Sequence, residues 1–125
     1  MHFQVAAQRL LDQMATAYRA GDAAGCAAVF THDAVLMSPY APLTRSRAAI
    51  EALHRHWLAD GGSDKTMTVL EAEASGDLGW CLVAYSEGDG SDDGKTLAIL
   101  ARQPNGTWLI SRCSLSNDVP PLVVE

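Results

Sequence analysis

Residues 65–117 read KTMTVLEAEASGDLGWCLVAYSEGDGSDDGKTLAILARQPNGTWLISRCSLSN. Four segments of about ten residues alternate here with turn signals. They run roughly over 65–75, 78–87, 95–103 and 107–117, separated by SGD, EGDGSDDGK and PNG. Such segments between Gly, Asn and Asp clusters read as strands, and neighbours joined by short turns pair antiparallel. The segment 95–103 is apolar on both sides, with Ala98 and Leu100 on one and Leu97, Ile99 and Ala101 on the other. A sheet open to water would show a polar face. Something therefore covers the second face: a partner subunit, or the tail DVPPLVVE of residues 118–125 folded back.

Upstream of these strands the pattern is helical. Between Phe3 and Ala20, Leu10, Leu11, Met14, Ala17 and Tyr18 recur at three- and four-residue spacing and form one apolar stripe. Gly21 ends that helix, and Asp22 caps a short one over 22–29. Asp33–Met37 predicts a short strand, followed by a loop bracketed by Pro39 and Pro42 with Tyr40 at its tip. A third helix is predicted over 46–59, with Ser46 as N-cap and Ile50, Leu53, His54, Trp57 and Leu58 on one face. Gly61-Gly62 stops it. The pattern predicts an α+β fold in one domain over 1–125, with three N-terminal helices packed on a curved antiparallel sheet.

Composition narrows the function classes. The chain has 125 residues, a formal net charge of −6 and 48% apolar residues. That is too apolar for a disordered chain and leaves no room for a second core. The nine basic residues are scattered among fifteen acidic ones, which argues against nucleic acid as a partner. Cys26, Cys81 and Cys113 form no CxxC pair, and an odd count makes no disulfide framework. They read as buried small hydrophobes in a reducing compartment. No signal peptide and no membrane span is visible, so the cytoplasm is expected. GDGSDDG at 88–94 lacks the spacing and closing Glu of a calcium loop and reads as an acidic turn.

Three stretches carry a resemblance to a known family. AYRAGDAAGCAAVFTHDAVLMSP (17–39) resembles an opening of helix, GD, short helix and F-x-x-D-A-V. RSRAAIEAL (45–53) resembles G-R-x-x-I, and PNGTWLISRCS (104–114) resembles a final hairpin with G-x-W-x-I. In that order they resemble the NTF2-like superfamily of ketosteroid isomerases and SnoaL-like polyketide cyclases, and most closely its small SnoaL-like members. The resemblance implies a cone-shaped fold with a helix-lidded pocket and a homodimer through the outer sheet face. The isomerase machinery needs a base, a tyrosine and a protonated acid. The matching positions here are Ser38, Met14 and Ala98, so that reaction is not expected by the usual route.

The expected pocket is mostly apolar. Tyr18 lies one turn after Met14 on the first helix, and His54 and Trp57 come from the third. Trp80 and Leu82 share one side of their strand, and the favoured register of the last strand turns Ser111, Cys113, Leu115 and Asn117 inward. Met37, Ser38, Tyr40 and Ala98 complete the expected lining. His54 is the candidate acid–base group, with Tyr18 as partner, because an imidazole titrates near neutral pH. The alternative is a core histidine bonded to backbone or to Tyr18. Cys113 is a candidate nucleophile if His54 lies beside it, and otherwise inert. Arg45 and Arg47 either clamp a carboxylate at the mouth or serve locally. His54 and His56 lack the spacing of a helical metal pair, so neither metal nor cofactor is expected. These residues support an isomerase, cyclase or hydrolase acting on an apolar carbonyl compound, a non-catalytic small-ligand binder, or a dimerisation module.

Overall fold

The computed structural model describes residues 2–88 and 93–118. The elements run α1 (Phe3–Arg19), α2 (Ala23–Ala27), β1 (Phe30–Ser38), β2 (Ala41–Arg45), α3 (Arg47–Trp57), β3 (Thr66–Ser75), β4 (Leu78–Ser86), β5 (Gly94–Arg102) and β6 (Trp108–Asn117). The fold is α+β, with a curved, unclosed sheet in the order β2-β1-β6-β5-β4-β3. Pairing is antiparallel except between β1 and β6, which run parallel.

β2 falls where a loop was expected. It is a short edge strand, largely exposed, and Pro42 is tolerated there because an edge has no second neighbour to receive its missing N–H. β1 begins at Phe30, three residues before the predicted start at Asp33, and so includes His32. Residues 89–92 of the acidic turn and 119–125 of the tail lie outside the described residues.

Irregularities in the ladder accompany the curvature. A β-bulge adds a residue to one strand and bends it. One lies between Val69 and Glu71, opposite Val83 and Leu82. A second falls in β6, where Ile99 pairs with Arg112 but Leu100 pairs with Ile110. The core fills the concave side: Ala7, Leu11 and Met14 of α1, Ile50 of α3, and Phe30, Leu36, Val83, Leu100 and Ile110 of the sheet. Gln8 joins helix to sheet, its side-chain amide donating to Met67 O (2.9 Å) and accepting from Val69 N (2.8 Å). Two backbone groups of an edge strand are thereby satisfied.

The caps form as the sequence suggests. Asp22 accepts from Gly25 N and Ser46 from Ala49 N. Ser46 also has φ +88° and ψ 149°, a conformation close to one held almost exclusively by glycine. Its amide donates to Ala34 O, which fixes the start of α3 against β1.

Candidate functional site

The helices cover the concave face incompletely, leaving a pocket with two levels. A mouth of about 300 Å³ is lined by Tyr18, Tyr40, Trp57, Lys65, Tyr85, Glu87 and Leu115. A tip of about 30 Å³ lies against His54, Phe30, Ile110 and Cys113. Tyr18, Trp57, Lys65, Tyr85 and Leu115 line both levels. The tip has room for about one water or a few ligand atoms. A wider groove near Phe3, Arg9 and Arg102 holds no comparable set of enclosed polar groups.

At the tip, burial governs the chemistry. His54 is 2% exposed, and its Nδ1 lies 2.8 Å from Ile50 O. A carbonyl only accepts, so Nδ1 carries the proton and Nε2 is left as the acceptor of the neutral ring. Burial holds the imidazole below its ordinary 6.5; the Ile50 bond opposes this and the charge of Lys65 adds to it. His54 is thus a neutral base at physiological pH. Its ring centroid lies 6.4 Å from Tyr18, 6.4 Å from Phe30 and 5.1 Å from Trp57. Burial also pushes the Cys113 thiol up to about 12, with Cys81 adding to the rise. Cys113 and His54 line the same tip, but this thiol is not a nucleophile at neutral pH. Cys81 and Cys113 both pair with Ala98 from opposite sides, two strand spacings apart, too far for a disulfide.

The mouth holds an ion pair that the expected pocket lacked. Lys65, 8% exposed overall, places Nζ 3.3 Å from Glu87 Oε2, and the Glu87 side chain is 15% exposed. The ammonium also lies over the rings of Tyr18 (4.4 Å) and Tyr85 (4.6 Å). Tyr18 donates to Glu87 Oε1 at 3.2 Å, and Tyr85 donates to Ser116 O at 3.0 Å. Gly94 makes that second bond possible, because a Cβ there would collide with Ser116 O and the Tyr85 hydroxyl. The signal for the pair is strand parity. Lys65, Met67 and Val69 alternate on one side, as do Val83, Tyr85 and Glu87.

The expected lining divides accordingly. Met14, Tyr18, Tyr40, His54, Trp57, Cys113 and Leu115 line one level or the other. Asn117 reaches the rim by donating its amide to the Tyr40 hydroxyl. Trp80 and Leu82 do not line the pocket: Cys81, Val83 and Tyr85 take the inward parity of β4, which leaves their alternating neighbours on the outer face. Ser111 occupies the β6 bulge, and Ile110 takes the inward place beside Cys113. Met37 is exposed because Leu36 holds the inward position on β1. Ser38 stays in the hairpin, its Oγ accepting from Tyr40 N, and Ala98 is fully buried beneath the cavity. Arg47 acts locally by donating twice to Phe30 O, and neither it nor Arg45 lines the pocket. Among the described residues no three His, Cys, Asp or Glu side chains cluster as metal ligands. No helix among them is long and apolar enough to cross a membrane.

Comparison with known proteins now places the architecture. The SnoaL-like domain family matches residues 11–105, most of both helical and strand halves. The chain belongs to the SnoaL-like family. Among curated proteins none matches it significantly. Solved structures share the fold of this SnoaL-like chain at low identity. A domain of unknown function with a cystatin-like fold from Nostoc punctiforme superposes with TM-score 0.83 at 20% identity, covering 96% of this chain and 80% of that one. A ketosteroid isomerase-like protein from Erwinia carotovora gives 0.78 at 20% identity, with coverage of 94% and 97%. An NTF2-like protein of unknown function from Shewanella oneidensis gives 0.80 at 13% identity, with coverage of 93% and 100%.

Proposed function

We propose that this SnoaL-like protein holds a small, largely apolar carbonyl compound in its pocket and acts on it by acid–base chemistry, with His54 and Tyr18 as the groups involved. One observation carries the reading: an aromatic-walled cavity of about 300 Å³ narrows onto a buried, neutral imidazole. A general base must be unprotonated at the working pH and within reach of the substrate proton. His54 meets the first condition, and a carbonyl-bearing end inserted in the tip brings its atoms towards the second. Tyr18 couples this histidine to the mouth, its ring near His54 and its hydroxyl on Glu87. The reaction class is isomerisation, cyclisation or hydrolysis.

A second reading, a non-catalytic binder, draws on Ser38, Met14 and Ala98, which supply none of the isomerase machinery. The two separate cleanly. Small-molecule extracts of the purified protein are identified by mass spectrometry, and the compound is offered to the protein and to its His54→Ala variant. Turnover lost in the variant supports acid–base catalysis; turnover unchanged ends that role for His54; binding without turnover leaves the binder.

The outer sheet face supports the proposal of a homodimer. Leu78 and Leu97 are 58% and 48% exposed there, beside half-buried Trp80, Leu82 and Ile99. Sedimentation should give twice the 13.3 kDa chain mass, and Leu97→Lys should shift it towards the single chain. A 13.3 kDa species for the unaltered protein at micromolar concentration excludes the dimer. Three free cysteines support a reducing compartment such as the cytoplasm.

A further inference from the structure

The polar atoms of the pocket wall differ in their access to the cavity. Glu87 Oε2 is enclosed, 3.3 Å from Lys65 Nζ, and Glu87 Oε1 is taken by the Tyr18 hydroxyl at 3.2 Å. The carboxylate is thus turned into the wall. Lys65 Nζ and His54 Nε2 likewise make no hydrogen bond among the described residues, yet neither is one of the enclosed atoms without a partner. Both therefore keep open surface, and both side chains line the tip.

The cavity accordingly meets the positive end of the ion pair. Glu87 behind the ammonium holds it charged and in place, and the rings of Tyr18 and Tyr85 flank it at 4.4 and 4.6 Å. An oxygen entering the cavity can accept from Nζ with no carboxylate on its own side. Tyr18 stands between this donor and His54, its ring centroid 6.4 Å from the imidazole. The charge of Lys65 is felt at His54, where it helps to keep the ring neutral. A neutral base and a fixed cation on one narrow, water-poor space are what removal of a proton beside a carbonyl requires. Met14 and Ala98, at the positions matched to the oxygen-binding groups of the isomerases, have nothing to donate. Lys65, just before β3, does.

We infer that Lys65 is the electrophile of this pocket, its ammonium donating to the oxygen of a bound carbonyl compound and holding the charge that gathers there as His54 takes a proton from the adjacent carbon. The inference rests on the acid–base reading of the pocket and names the group which that reading lacks. In the step, the C–H electron pair becomes the C=C bond, the carbonyl π pair moves onto oxygen, and the proton ends on His54 Nε2. Return of that proton to another carbon gives an isomer, with nothing consumed. The bond from Nζ is strongest when the oxygen carries the charge, so it favours the enolate over the ketone.

The test is calorimetric binding of two probes of nearly one size: para-nitrophenolate, whose oxygen carries charge, and para-nitroanisole, whose oxygen cannot. At a pH where the free phenol is ionised, the full chain should bind the phenolate about tenfold more tightly, the effect of one charge-assisted hydrogen bond. Lys65→Met should abolish the preference, and Glu87→Gln, which leaves the ammonium unneutralised, should enlarge it. A merely structural pair would move both variants the same way. Lys65→Met combined with Glu87→Leu leaves no buried charge unpaired and should also lose the preference, which covers the case in which the single variant fails to fold. Lys95→Met, at an exposed ion pair with Asp118 outside the pocket, should bind both probes as the unaltered chain does. Equal binding of the two probes by the unaltered chain overturns the inference while the pocket reading stands. So does a preference that survives Lys65→Met, or that His54→Gln removes instead. If neither probe binds, both fall.

Discussion

At the tip of the pocket, Phe30, Ile110, His54 and Cys113 are sealed into the core; at the mouth, Lys65 and Glu87 carry full charges in a nearly enclosed wall. The tip favours neutral forms by removing water. It lifts the Cys113 thiol out of range and keeps His54 neutral. The mouth retains charge by pairing it, with Lys65 against Glu87. Burial is similar at the two levels and the outcome is opposite, because only the mouth brings opposite charges together. The contrast separates a desolvated, neutral tip from a charged mouth.

The largest test of this contrast is at the tip. Phe30 is fully buried, so Phe30→Ala should lower unfolding free energy by about 3–5 kcal/mol in denaturant titration. A loss below 1 kcal/mol would mean that the tip is loosely packed. At the mouth, Lys65→Met should cost about 3 kcal/mol, because Glu87 is left buried and unpaired. Combining it with Glu87→Leu should restore most of that loss. If the double variant stays as unstable as the single one, the pair is structural rather than a site.

His54 tests the comparison through pH. Its folded pKa lies below 6.5, so below that pH the unfolded chain binds a proton that the native one refuses. Its contribution to stability is complete above pH 6.5 and is lost as pH falls through the folded value. The slope from this one group cannot exceed about 1.4 kcal/mol per pH unit. Thermal unfolding of the protein and of His54→Met between pH 7.5 and 5 should show the slope only where His54 is present. The smallest effect is expected away from both levels. Ser46→Gly relieves the φ of +88° and gives up a cap, which glycine replaces with little loss. The balance with chain entropy should be a gain of about 1 kcal/mol, read from the denaturation midpoint. A loss would show that the Ser46–Ala49 bond outweighs the strain.

Much of the site was legible because helical periodicity is forgiving. Met14, Tyr18, His54 and Trp57 share helix faces several residues wide, and a small error in register leaves them in place. Strands give no such margin. Trp80 and Leu82 share one side of β4, but the sheet turns the other side, with Cys81, Val83 and Tyr85, inward. One bulge exchanged Ser111 for Ile110. Lys65 and Glu87 flank the ends of β3 and β4, where charged residues normally face water.

The sequence by itself determined the α+β class, the helices, their caps and the four long strands, since each depends on local periodicity and on turn residues nearby in the chain. It also carried the family motifs. The tertiary structure alone decided which strand face looks inward, where the ladder bulges, and that Lys65 meets Glu87 between Tyr18 and Tyr85. Those outcomes depend on hydrogen-bond register between strands and on helices arriving from the other half of the chain, and no run of neighbouring residues encodes either.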